Sequence, residues 1–160
     1  MSRLVSLATS PGHTLWALAA VGSVAVAGAL PEWHEGGVPG ALPVVIASIS
    51  GWIIWTTVIS LLGNWAFGPQ HNSVSWWGAA WAIGLAQGPG VIRVLGVVEG
   101  SGPAPAIAAF GGQLAAMMLA ARVSYGLRDV FRPITLILVA IVPWLILQIG
   151  VVLLLDFALS

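Results

Sequence analysis

Ala79–Val98 reads AAWAIGLAQGPGVIRVLGVV, and the rest of the chain is organised around it. The stretch is long and apolar enough to enter a bilayer, where about 20 such residues span the hydrocarbon. Its middle, Gln87-Gly88-Pro89-Gly90, does not suit a continuous helix. Pro89 removes a backbone donor and clashes with the preceding turn, so the helix is predicted to kink or break near Gln87. In lipid such a break is tolerated only where neighbouring helices or water re-satisfy the freed carbonyls. The stretch therefore belongs inside a bundle. Helix hydrogen bonding is predicted to stop between Gly84 and Val91 under cover of the second and fourth spans. Gln87 and Gln113 are the nearest side chains able to supply donors.

Composition agrees with a membrane setting. Of 160 residues, 59% are hydrophobic and 6% are charged, against roughly 25% charged in soluble domains. There is no cysteine, which excludes disulfides, thiolate metal sites and cysteine catalysis. All five cations are arginines and the formal net charge is zero, so nucleic acid is not an expected partner.

The hydropathy pattern predicts an all-α polytopic membrane bundle forming a single domain over 1–160. Its five transmembrane helices are placed at about 13–30, 42–67, 77–98, 104–127 and 134–155, and the third is broken by Pro and Gly. The first segment follows Arg3 and is read as a retained span. Cleavage near Ala27–Pro31 is the alternative. Pro31–Gly40, PEWHEGGVPG, is predicted to be a loop from its prolines and glycines. Trp76, Trp77 and Trp81 mark an aromatic belt, and Pro143 is expected to kink the fifth span.

With five spans, Arg3, Arg122, Arg128 and Arg132 fall on one side and Glu32, Glu35, Glu99 and Asp156 on the other. The positive-inside rule then puts the N-terminus in the cytoplasm and the C-terminus outside, with a bacterial inner membrane as the expected setting. A four-span alternative makes Ala79–Val98 re-entrant.

Arg93 is the one strongly placed intramembrane charge. At a helix centre an arginine costs roughly 2.5–3.5 kcal/mol on insertion scales. The simpler expectation is snorkelling to the outer interface beside Glu99. The alternative is contact with a ligand or lipid headgroup at the broken helix, with Gln87, Gly88, Pro89, Gly90 and Gln113 as its neighbours. Arg122, Arg128 and Arg132 gather at one cytoplasmic corner. They are read as topogenic charge, with anionic lipid or an acidic partner surface as the alternative. His13, His34 and His71 stand singly at span ends or in loops, which argues against a metal site. His13 is the only candidate pigment ligand, and no cofactor is expected. No Ser–His pair at depth, no paired carboxylates and no phosphate-cradling loop is present, so no catalytic set is predicted.

Several of these features in order resemble the YIP-one domain family, named for interaction with Ypt/Rab GTPases. The residues that carry the resemblance are Gly51-Trp52-Ile53-Ile54-Trp55, then Gly84-Leu85-Ala86-Gln87-Gly88-Pro89-Gly90-Val91-Ile92-Arg93-Val94-Leu95-Gly96. Ala121-Arg122-Val123-Ser124-Tyr125-Gly126-Leu127 and Phe131-Arg132-Pro133 follow. The resemblance covers about Ala41 to Leu155, and its most specific part is the Ala-Gln-x-Pro-Gly-Val-Ile-Arg run. It implies a five-span, non-enzymatic membrane protein that organises membrane or scaffolds a complex. Its expected partners are the lipid bilayer and other membrane proteins or further copies of the chain. Two further readings stay open. One is a small channel or transporter with its site near Arg93. The other is an accessory subunit of a larger, photosynthetic or other, membrane complex.

Overall fold

The computed structural model describes residues 11–67, 73–97 and 103–159, with side chains at 15–34, 36–67, 73–95 and 103–158. All its regular structure is helical: α1 (Pro11–Phe67), α2 (Trp76–Ala86), a 3₁₀ helix (Gly88–Val97), α3 (Ala104–Ser124) and α4 (Phe131–Leu159).

The long α1 is two helices joined at Gly37, whose φ of 61° and ψ of −147° are non-helical. Only glycine adopts that conformation without steric cost. The two limbs fold back on each other. A Cβ on Gly28 would lie 3.7 Å from Val44, and one on Gly40 would lie 2.9 Å from the Glu32 carbonyl. Both pairs are symmetric about position 36, as in an antiparallel hairpin. The loop expected over Pro31–Gly40 is therefore corrected: the backbone stays helical on both sides and the reversal is confined to Gly37. Pro39 does not oppose this, because it falls in the first turn of the second limb, where an amide N–H has no helical partner.

Four helices have the length and composition to cross a membrane: Leu15–His34, Gly36–Phe67, Ala104–Ser124 and Phe131–Ala158. The second limb has 32 residues, or about 48 Å, more than a ~30 Å hydrocarbon core. It must tilt or protrude. The third apolar segment is divided between α2 and the 3₁₀ helix. α4 starts three residues earlier than expected and continues through Pro143.

The end of the bundle near Tyr125 is tightly closed. α3 finishes in a glycine cap: Gly126 has φ 65°, its N–H donates to the Val123 carbonyl, and Leu127 N–H donates to the Arg122 carbonyl. Both bonds satisfy carbonyls that the helix end leaves open. The cap directs Tyr125 into the core, where it is 1% exposed and donates its hydroxyl to the Ile59 carbonyl over 3.1 Å. Gly63 makes the room, since any Cβ there would strike the Tyr125 ring. Nearby, Asn64 clasps Val74 through two 2.8 Å hydrogen bonds. Ser75 caps α2 by accepting from Gly78 N–H.

Candidate functional site: a cavity at the helix break

α2 ends at Ala86, as Pro89 requires. Gln87 follows with φ −71° and ψ −20°, already close to 3₁₀ geometry. The next ten residues are 3₁₀, whereas such runs rarely exceed about 3–4 residues. The prediction of a broken third segment is met. The manner of the break is corrected: helical bonding changes from i→i+4 to i→i+3 instead of stopping, and Gly90 N–H donates to the Gln87 carbonyl over 2.7 Å.

The change of helix type decides which side chains share a face. A 3₁₀ helix turns about 120° per residue, so Gln87, Gly90 and Arg93 fall in one row. At about 100° per residue an α-helix would carry Arg93 about 120° away from Gln87. Gln113 of α3, 5% exposed, fits into the middle of this row. It accepts from Arg93 Nη2 at 3.0 Å and donates to Gln87 Oε1 at 2.5 Å. Gly90 leaves the seat for it: a Cβ there would meet Gln113 Nε2 at 2.6 Å and Val24 at 2.7 Å. Gly112 admits Pro89 in the same way, at 2.8 Å.

One expectation is extended here and one is corrected. The break is covered by the first limb, through Val24, and by α3. Residues of the second limb line an open space beside it, together with Gln87 and Arg93. Gln87 and Gln113 bond to each other and to Arg93, not to freed backbone carbonyls. The 3₁₀ bonding makes such donors unnecessary.

That open space is a cavity of about 440 Å³ lined by Gln87, Arg93 and Gln113 on one side. Val21 and Val24 of the first limb, Val44 to Trp55 of the second, Phe110 to Met117 of α3 and Ile141 to Gln148 of α4 complete it. Its walls are largely apolar. The far wall is held by two bonds between α4 and the second limb: Trp144 Nε1 to the Gly51 carbonyl at 3.3 Å and Gln148 Nε2 to the Ala47 carbonyl at 2.9 Å. Trp55 and Trp144 pack edge to face there with centroids 5.3 Å apart. Trp52 Nε1, Trp55 Nε1, Thr56 Oγ1 and Gln148 Oε1 are buried without a hydrogen-bond partner. These atoms have almost no accessible surface, so they lie within the packed wall and not on the cavity face.

The candidate residues thus separate. Gln87, Pro89, Gly90, Arg93 and Gln113 come together, while a Cβ on Gly88 would meet nothing within 4 Å. Arg93 lines the cavity and its bond is directed inward, toward Gln113. Glu99, its expected interfacial partner, lies outside the described residues, as do the side chains of His13 and His71. Arg122, Arg128 and Arg132 lie at the opposite, closed end. Arg122 donates to the Leu127 and Arg128 carbonyls, and Arg132 pairs with Asp129 at 3.2 Å. Among the described residues no cluster of His, Asp or Glu could hold a metal ion. Sequence reasoning passed over Gln148, Ser48 and Trp144. Gln148 carried a signal, being a polar residue deep in an apolar span.

Comparison with protein-family models, with curated proteins and with solved structures finds no match to this chain.

Proposed function

We propose that the chain is a non-enzymatic integral membrane protein that takes a small amphipathic molecule into the cavity at its broken third segment. The observation that carries this is the Arg93–Gln113–Gln87 chain on one wall of an otherwise apolar cavity. About 440 Å³ falls within the roughly 300–1,000 Å³ of small-molecule sites, and a few convergent polar groups in an apolar pocket are their usual form. Discontinuous helices near the membrane midplane are used in this way by transporters. In this reading the third segment crosses the bilayer as a fifth span, since α2 and the 3₁₀ helix add up to about 36 Å. The positive-inside rule orients the closed end to the cytoplasm. A membrane-organising role, as the YIP resemblance implies, is the second proposal, supported by the Ala86–Arg93 run.

Native mass spectrometry of protein purified in mild detergent tests the first reading. A small-molecule adduct is expected on the wild type and should be lost in Ser48→Trp, which fills the cavity. No adduct on the wild type, or equal adducts on both, contradicts it. Ser73→Cys and Ser101→Cys test the crossing: in intact cells an impermeant thiol reagent should label only the second.

A further inference from the structure

The direction of the hydrogen bonds at the break fixes the chemistry of the ligand's head, given that the cavity binds one. A guanidinium only donates. The atom of Gln113 facing Arg93 must therefore be the carbonyl oxygen, 3.0 Å from Nη2. The Gln113 NH₂ group then points at Gln87 and requires the Gln87 carbonyl oxygen as its acceptor. Gln87 is left with its own NH₂, so both ends of the chain carry N–H donors, and the only charge on it is the positive one of Arg93. Gln113, the central link, has its carbonyl and amide both engaged. Arg93 has only this neutral partner among the described residues; the ion pair formed there is Arg132–Asp129, at the other end. One positive charge is thus held beside an apolar cavity with further N–H groups to spare.

We propose that the cavity binds an amphiphile whose head is a monoanion with two acceptor oxygens, a carboxylate or a phosphodiester. The head sits on Arg93, and a single apolar chain or ring lies in the cavity. One anionic charge neutralises the one cation, and two oxygens match the paired donors of a guanidinium. A cationic head such as an ammonium would meet the like charge of Arg93. The volume accommodates one small apolar body. A two-chain lipid could place only its head and part of one chain inside.

The test uses the tryptophans in the cavity wall, Trp52, Trp55 and Trp144, as reporters. The full chain in nanodiscs of zwitterionic lipid is titrated with a dibrominated long-chain fatty acid, with its uncharged methyl ester, and with a brominated phosphatidylglycerol. Saturable quenching by the acid, at least tenfold tighter than by the ester, is expected for the wild type. Arg93→Gln should abolish the preference and Arg93→Lys should keep part of it, because the charge remains while the paired donors are lost. Helix content and detergent resistance of each variant show that it is folded. Gln87→Glu, which leaves Arg93 in place but sets an acceptor and a negative charge where the NH₂ stood, should also lower the preference. Equal affinity for acid and ester, or a preference that survives Arg93→Gln, overturns the head assignment and leaves the cavity reading intact. Absence of saturable quenching by any of the three overturns both. Tight binding of the phosphatidylglycerol with none of the acid identifies a lipid headgroup as the source of the monoanion.

Discussion

The two ends of this bundle treat polar groups in opposite ways. At the closed end Tyr125, Asn64, Ser75, Asp129 and Arg122 each find a backbone partner. Donors and acceptors balance there, and Gly63 and Gly126 let the chain approach closely enough for them to meet. At the helix break the polar side chains bond to one another, and Arg93, with no ion pair among the described residues, stands beside a largely apolar cavity. Under the proposal above, the first is a structural joint and the second a receiving site.

Substitutions can break either end of this contrast. The largest effect is expected from Gly63→Val, which drives a side chain into the Tyr125 ring and breaks the Tyr125–Ile59 bond. A loss of about 3 kcal/mol or more is expected, measured as a lower midpoint in a dodecyl sulfate unfolding titration. Gly90→Ala should follow at about 1–3 kcal/mol, because its Cβ displaces Gln113 or Val24. Unlike Gly63→Val, it should also lower affinity for any cavity ligand. Asn64→Ala removes both bonds to Val74 and should cost about 1–2 kcal/mol without touching ligand binding. The smallest effect has the opposite sign. Thr56 is fully buried with an unpartnered hydroxyl, so Thr56→Val should leave the unfolding midpoint unchanged or raise it by up to about 1 kcal/mol.

Much of this architecture was legible in the sequence. The apolar runs marked the helices, and Pro89 between two glycines marked the break, since a missing N–H and free φ angles act locally. The hairpin at Gly37 was not legible as such. Pro31, Pro39, Gly36, Gly37 and Gly40 read as a loop, and nothing local says that a single residue carries the whole reversal. The alignment of Gln87 with Arg93 was hidden for a related reason. At α-helical spacing the two do not share a face, and only a change of helix type brings them into line. Gln113 was picked out by polarity alone, and its orientation depends on a partner 20 residues away.

The central claim is that 3₁₀ geometry after Ala86 sets Gln87, Gly90 and Arg93 in one row against Gln113. The chain has no cysteine, so cysteine pairs can test it directly in membranes. A cysteine at position 113 is combined in turn with one at each of positions 87, 90, 91, 93 and 94 and treated with a short bifunctional thiol reagent. Cross-linking of 113 to 87, 90 and 93, with little to 91 and 94, is the predicted result. Cross-linking that follows 87, 91 and 94, the spacing of an uninterrupted α-helix, would contradict it.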